Sequence, residues 1–244
     1  MPRLSPIRQE FDLPDPADAT RIKAIAFDFD GVILDSVQLK ADLFIDCYGG
    51  RLDESQKVAI LAYQAQHGGI GRAEKFRYFE RNVFGRTPDE TTIARLANQY
   101  STLLMARIGS CPELPGARAF LERSGTQLSL HLVSGTAHHD LVAITAQRRL
   151  DHYFDTIVGS PTAKADAFAD IVRSGCWLPD QVLAIGDSMT ELHAAAQIGM
   201  PFVGIVAATE PNPFPRTIAV FQDLEALSRA WPDLERAPAP AGNG

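Results

Sequence analysis

The apolar run Ile22-Lys23-Ala24-Ile25-Ala26-Phe27 ends in Asp28-Phe29-Asp30-Gly31, and this junction constrains the fold more than any other stretch of the chain. The run reads as a buried strand. Side chains alternate along a strand, so Asp28 and Asp30 lean the same way. Two crowded carboxylates repel, and a cation or a shared proton relieves them. Open α/β sheets bind their ligands at the carboxyl ends of parallel strands. The junction therefore predicts an α/β protein with a charged site at the end of this strand.

Two plainer readings compete. An EF-hand calcium loop also begins Asp-x-Asp, but needs oxygen ligands at positions 1, 3 and 5, glycine at 6 and glutamate at 12. Counted from Asp28, the fifth, sixth and twelfth residues are Val32, Ile33 and Leu39, which excludes that loop. A surface turn after a strand also uses Asp and Gly. The rest of the chain decides.

After Ser36 the pattern turns helical for about seventy residues, judged by apolar spacing. Helices are expected at 37–48 and at 54–66, the latter with Val58, Leu61, Ala62 and Ala65 on its apolar face. Gly68-Gly69 breaks the pattern, and a basic, aromatic helix follows with Arg72, Lys75, Phe76, Arg77, Phe79 and Val83. Thr87-Pro88-Asp89-Glu90 reads as a helix start, with Thr87 as N-cap and Glu90 closing a capping box. That helix carries Ile93, Leu96, Ala97, Tyr100, Leu103 and Leu104 on one face. From Pro115 onward, helices alternate with apolar strands expected at 128–133, 156–159, 182–185, 202–205 and 218–220. Continuous apolar strands belong to a parallel sheet covered on both faces. A whole βαβ unit takes roughly 30 residues, yet Ser134 lies 106 residues beyond Asp28. The surplus is an inserted block. The expected organisation is a three-layer, Rossmann-like α/β core from 21–36 and 111–235, an all-helical cap at 37–110, and flexible extensions at 1–20 and 236–244.

Composition narrows the functional classes. A formal charge of -7 argues against a nucleic-acid or anionic-membrane surface. No apolar stretch reaches the length of a membrane span, and the N-terminus lacks the apolar core of a signal peptide. Cys47, Cys111 and Cys176 show neither Cys-x-x-Cys nor Cys/His metal spacing. A cytoplasmic protein, monomeric or homodimeric, is expected.

Three later strand ends finish in polar residues: Ser134-Gly135-Thr136, Ser160-Pro161-Thr162-Ala163-Lys164, and Gly186-Asp187-Ser188-Met189-Thr190-Glu191. Singly, each has a dull explanation. Ser134 can cap a helix, Lys164 can be a solvated lysine, and Asp187 with Glu191 can decorate a helix start. In a parallel sheet all these ends share one edge with Asp28 and Asp30, and the conjunction carries the weight.

With these motifs the chain resembles the haloacid dehalogenase superfamily, in the phosphatase branch whose helical cap follows the first catalytic strand. The resemblance covers about residues 21–230. It implies that Asp28 is a nucleophile forming an aspartyl-phosphate, and that Asp30 is the acid and base. It further implies that Ser134, Gly135 and Lys164 bind the phosphoryl group. Mg²⁺ would be held by the Asp28 and Asp187 side chains and the Asp30 carbonyl. Glu191 stands where Asp is frequent and is expected to reach the metal through water. Asp30 also excludes the dehalogenase branch, which lacks an acid there. Electrostatics agrees that help is needed, since two unit charges 4 Å apart interact by about 4 kcal/mol at an effective dielectric of 20.

The expected activity is Mg²⁺-dependent hydrolysis of a small phosphorylated metabolite, a sugar or sugar-acid phosphate. One alternative is a phosphosugar mutase of the β-phosphoglucomutase type, which carries a histidine where this chain has Lys40. Another is a non-catalytic phospho-ligand-binding protein, since fold alone does not fix function. The cap stretch around Gly68, Gly69 and Gly71 is the candidate for substrate selection. Arg72 and Lys75, three apart on the following helix, are expected to point together toward the substrate.

Overall fold

The computed structural model describes residues 22–234, so the extensions expected at 1–20 and 236–244 lie outside the described residues. Six parallel strands form one sheet: β1 (Ala24–Phe27), β2 (Ser129–Ala137), β3 (Thr156–Ser160), β4 (Val182–Gly186), β5 (Phe202–Ile205) and β6 (Ala219–Phe221). Their order is β3-β2-β1-β4-β5-β6. β1 lies centrally, with Phe27 in register with Leu132 on one side and Ile185 on the other. The order reverses beside β1, and that crevice is where such sheets bind ligands.

Alternation along β1 divides the core into two layers. Ile25 and Phe27 face Leu130, Leu132, Leu183 and Ile185, together with helices α5 (Ala117–Ser124), α6 (His138–Gln147) and α9 (Leu224–Leu234). Ala24 and Ala26 face the other way, against α7 (Lys164–Ser174) and α8 (Met189–Ile198). Small side chains on that face let the helices approach closely: Ala184, Ala167, Ala194 and Ala195 meet there. Helices on both faces of a parallel sheet make three layers.

Between β1 and β2 come α1 (Val37–Asp46), α2 (Glu54–Gln66), α3 (Arg72–Tyr78) with a π-helical turn at Phe79–Val83, and α4 (Glu90–Arg107). An aromatic cluster joins them. The Phe44 ring lies 5.2 Å from Phe76, 5.5 Å from Phe79 and 4.7 Å from Tyr100. The chain enters and leaves this block at adjacent points. Asp35 N–H donates to the Pro112 carbonyl (3.0 Å), Leu114 N–H donates to Ile33 (2.8 Å), and Leu34 bridges Glu113 in antiparallel fashion.

Two local readings need correction. α4 starts at Glu90, with Asp89 as N-cap accepting from Thr92 N–H at 2.9 Å. Thr87 does not cap it. The ionised Asp89 is the better acceptor at a helix N-terminus, and Glu90 instead forms a pair with Arg77 at 2.7 Å. On α2 the buried residue is Ile60, whereas Val58 is 65% exposed. Leu61 and Ala65 line a cavity rather than a packed interface. α4 keeps its expected face, with Ile93, Leu96, Tyr100 and Leu104 buried.

Candidate active site

Asp28 follows β1 directly, and its N–H continues the ladder by donating to the Ile185 carbonyl at 2.9 Å. Gly31 adopts φ +76, and a Cβ there would lie 2.2 Å from the Asp187 carboxylate. Glycine is therefore required for Asp187, at the end of β4, to reach the first motif. Asp28, Asp187 and Glu191 bring ligand oxygens within 4.8 Å of one another. Lys164, at the first turn of α7, donates to Asp28 at 2.7 Å and to the Val133 carbonyl at 3.2 Å, and also pairs with Glu191. The four strand ends thus converge as the sequence indicates.

Glu191 has two further tasks. It closes a capping box on α8, accepting from the Ser188 N–H at 3.0 Å and from the Ser188 hydroxyl. Its place beside Lys164 sets it against the acidic cluster, with one oxygen committed to the helix start.

The electrostatics of the cluster are uneven. Burial, followed by repulsion from Glu191 and Asp30, pushes the Asp28 carboxyl up to about 7, although Lys164 opposes the rise. Burial and the Asp28 charge hold Asp187 well above the usual carboxylate range. Burial would lower the Lys164 ammonium, but Asp28 and Glu191 outweigh it and raise its affinity for the proton. Carboxylates raised by burial and then by their mutual repulsion form a hard-oxygen donor set that suits a divalent cation.

Asp30 behaves differently. Burial would raise it, yet Lys40, Ser36 and Thr136 together hold it below its ordinary value. Lys40 Nζ donates to Oδ2 at 2.6 Å, the Thr136 hydroxyl donates to the same oxygen at 3.0 Å, and the Ser36 hydroxyl donates to Oδ1. Ser134 Oγ lies 3.4 Å from Oδ2 and also accepts from Thr136 N–H at 3.1 Å. Of these partners, Ser36, Lys40 and Thr136 were not assigned roles from sequence. Lys40 carries the one available signal: it occupies the buried stripe of α1 with Ala41, Leu43 and Phe44, where a charge needs a partner.

The Gly-rich cap loop covers this ground. A Cβ on Gly135 would lie 2.4 Å from the Gly69 carbonyl oxygen, and one on Gly69 would crowd Glu191 and Lys164. Thr190 Oγ1 donates to the Gly68 carbonyl at 2.5 Å. Beyond the loop lies a cavity of about 750 Å³, lined by Asp28, Asp30, Lys40, Gln64, Lys75 and Gly135, among others.

Arg72 and Lys75 both border this cavity but do not share partners. Arg72 pairs with the buried Asp140 of α6 and donates to Ser101 Oγ at 2.6 Å. Ser101 in turn donates to Asp140 at 2.9 Å. Lys75, only 4% exposed, donates to Gln64 Oε1 at 2.6 Å and stands 5.7 Å above the Phe44 ring.

The chain matches the haloacid dehalogenase-like hydrolase family over residues 22–199. A phosphoglycolate phosphatase from Synechococcus elongatus is 25% identical over 226 residues, covering 87% of this chain and 91% of that protein. Among solved structures, a hydrolase from Pseudomonas syringae superposes with a TM-score of 0.69 at 19% identity, over 86% of this chain and 98% of that one. CbbY from Rhodobacter sphaeroides, solved in complex with phosphate, gives 0.66 at 18% identity, over 84% and 96%. At that identity the structural likeness speaks for the fold alone. Among the described residues, no helix is long and apolar enough to cross a membrane.

Proposed function

Because the chain belongs to the haloacid dehalogenase-like hydrolases, we propose that it is a phosphatase hydrolysing a small phosphorylated metabolite, a sugar or sugar-acid phosphate, through phosphorylated Asp28. One observation carries this reading: Asp28 is paired with Lys164 at 2.7 Å while sharing a space under 5 Å across with Asp187 and Glu191. A buried carboxylate in that setting is aligned by an ammonium and needs further positive charge, which suits a nucleophile for phosphorus.

The donors suit Mg²⁺, which the Asp28 and Asp187 side chains and the Asp30 carbonyl would hold, with Glu191 as a further carboxylate beside them. When bound, the ion supplies the positive charge that offsets the phosphoryl oxygens beside Asp28. The Ser134 hydroxyl and Gly135 N–H bind phosphoryl oxygens, and Lys164 holds Asp28 in line. Asp28 then attacks phosphorus and the leaving oxygen departs with a proton from Asp30. In the second half, Asp30 takes a proton from the water that attacks the aspartyl-phosphate. The proton Asp30 gains from water in the second half is the one it gives to the leaving oxygen in the next turnover. Lys40, which lowers the affinity of Asp30 for the proton, favours that release.

The test is phosphate release, with and without magnesium, over a panel of phosphorylated sugars, sugar acids and nucleotides. Magnesium-dependent release from a sugar or sugar-acid member is expected. Movement of phosphate between positions of one sugar, without release, would identify a mutase. Binding without either reaction would identify a ligand-binding protein.

A further inference from the structure

We propose that Lys75, supported by Gln64 and by the charge of Lys40, forms a subsite for a carboxylate on the leaving group, so that the substrate is the phosphate monoester of a small hydroxy acid. The inference rests on the phosphatase reading and narrows its substrate class. It begins with an imbalance among the cations in and beside the cavity. Lys164 is matched by Asp28 and Glu191, Lys40 by Asp30, and Arg72 by Asp140. Lys75 touches the neutral Gln64 amide and the face of Phe44. Among the described residues no carboxylate is bonded to Lys75. A buried ammonium so placed is costly, and Lys75 borders the same cavity as the nucleophile.

The surroundings of Lys75 fix the chemistry of its partner. The charged groups acting on it are Lys40 of α1 and, from the core, Asp30, Asp187 and Glu191. Gln64 of α2 is neutral, and Arg72, on Lys75's own helix, is already paired with Asp140. Burial, followed by the like charge of Lys40, pulls the Lys75 ammonium down to about 8, against weaker opposition from the three carboxylates. An incoming anion reverses this and holds the lysine charged. One uncommitted positive charge matches a monoanion, whereas a second phosphate dianion would call for two. A carboxylate fits, accepting charge-assisted hydrogen bonds from Nζ. Arg72 is thereby left out of the recognition that sequence spacing suggested for it.

The experiment compares matched esters that differ in the carboxylate: phosphoglycolate against ethyl phosphate, and 3-phosphoglycerate against glycerol 3-phosphate. Phosphate release from ethyl phosphate or glycerol 3-phosphate by the unaltered enzyme reports the phosphatase reading by itself. At pH 7 the carboxylated member should be preferred in kcat/KM by about 10- to 100-fold, the range of a charged hydrogen bond. Lys75→Met should remove most of that preference, and Lys75→Arg should retain it. Between pH 7 and 9 the preference should fall in the unaltered enzyme and persist in Lys75→Arg, a comparison that does not depend on how well Lys75→Met folds. A ratio near one in the unaltered enzyme would overturn the proposal. So would an equal loss on both esters in Lys75→Met, which would make Lys75 a mere counter-charge to the carboxylates of the core. Release from the carboxylate-free esters without preference for their carboxylated partners would defeat the subsite and leave the phosphatase standing. No release from either class would defeat both.

Discussion

Asp28→Asn removes a charge but almost no volume, so its effect isolates chemistry from packing. Turnover should fall by at least about a thousandfold, as when a nucleophile is deleted, while the unfolding midpoint stays level or rises. Stopped phosphate release together with a thermal melt checks both halves. Asp187→Ala tests a different property. It removes one of the few protein oxygens assigned to the cation, so the magnesium concentration for half-maximal activity should rise at least about tenfold. An unchanged titration would take Asp187 out of the metal site. These residues were legible in sequence because a charge at the end of a buried strand has few structural uses. Lys40 and Asp140 were not. Their partners lie 10 and 68 residues away on other elements, and helical spacing reveals neighbours on one helix rather than partners across a gap.

The loop between α2 and α3 is anchored at both ends by polar contacts with the core, Gly68 to Thr190 and Arg72 to Asp140. Asp140→Ala leaves Arg72 buried without its carboxylate. Breaking one side of a buried pair costs about 3–5 kcal/mol, and denaturant unfolding should show a loss of that order. The double change Arg72→Met with Asp140→Met should recover most of it, because an apolar pair leaves no charge stranded. If the single variant melts like the parent, the pair does not hold the loop. Element existence was readable from periodicity, as α4 shows with Ile93, Leu96, Tyr100 and Leu104 on one buried face. At the start of α4 the sequence pattern pointed to Thr87, although the carboxylate of Asp89 takes the cap. On α2, periodicity detected an apolar stripe without distinguishing a packed face from a cavity wall. That distinction depends on neighbouring elements, and local spacing carries no record of them.

For the molecule as a whole, pH acts through groups whose burial changes their affinity for the proton. His131 on β2 is buried, its Nδ1 2.8 Å from Thr156 Oγ1 and its ring against Trp177. Burial lowers its affinity for the proton, with Asp155 opposing weakly. The folded form therefore holds the imidazole neutral, and below about pH 6.5 the unfolded chain binds the extra proton. The contribution is complete above that pH and is lost as pH falls toward the lowered folded value. His131→Gln should weaken the acid dependence, so the difference in melting temperature between pH 8 and pH 5.5 should be smaller than in the parent. An identical difference would exclude His131 from the acid response. The three-layer sheet was legible because four strand ends carry chemistry on one edge, a pattern that requires parallel strands. The meeting of the insertion's two ends was not, since Leu34 and Glu113 lie far apart in sequence.

That meeting has a consequence for how such a molecule can change. Because Asp35 and Pro112 are already hydrogen-bonded neighbours, a few residues of linker would close the sheet after the helices were cut away. A different set of helices could be spliced between the same two points without rethreading any strand. The helical insertion is thus a detachable cartridge on the sheet that carries Asp28 and Asp187. What the core would lose in such an exchange is Lys40, the counter-charge of Asp30, so any replacement has to bring a cation to the same place.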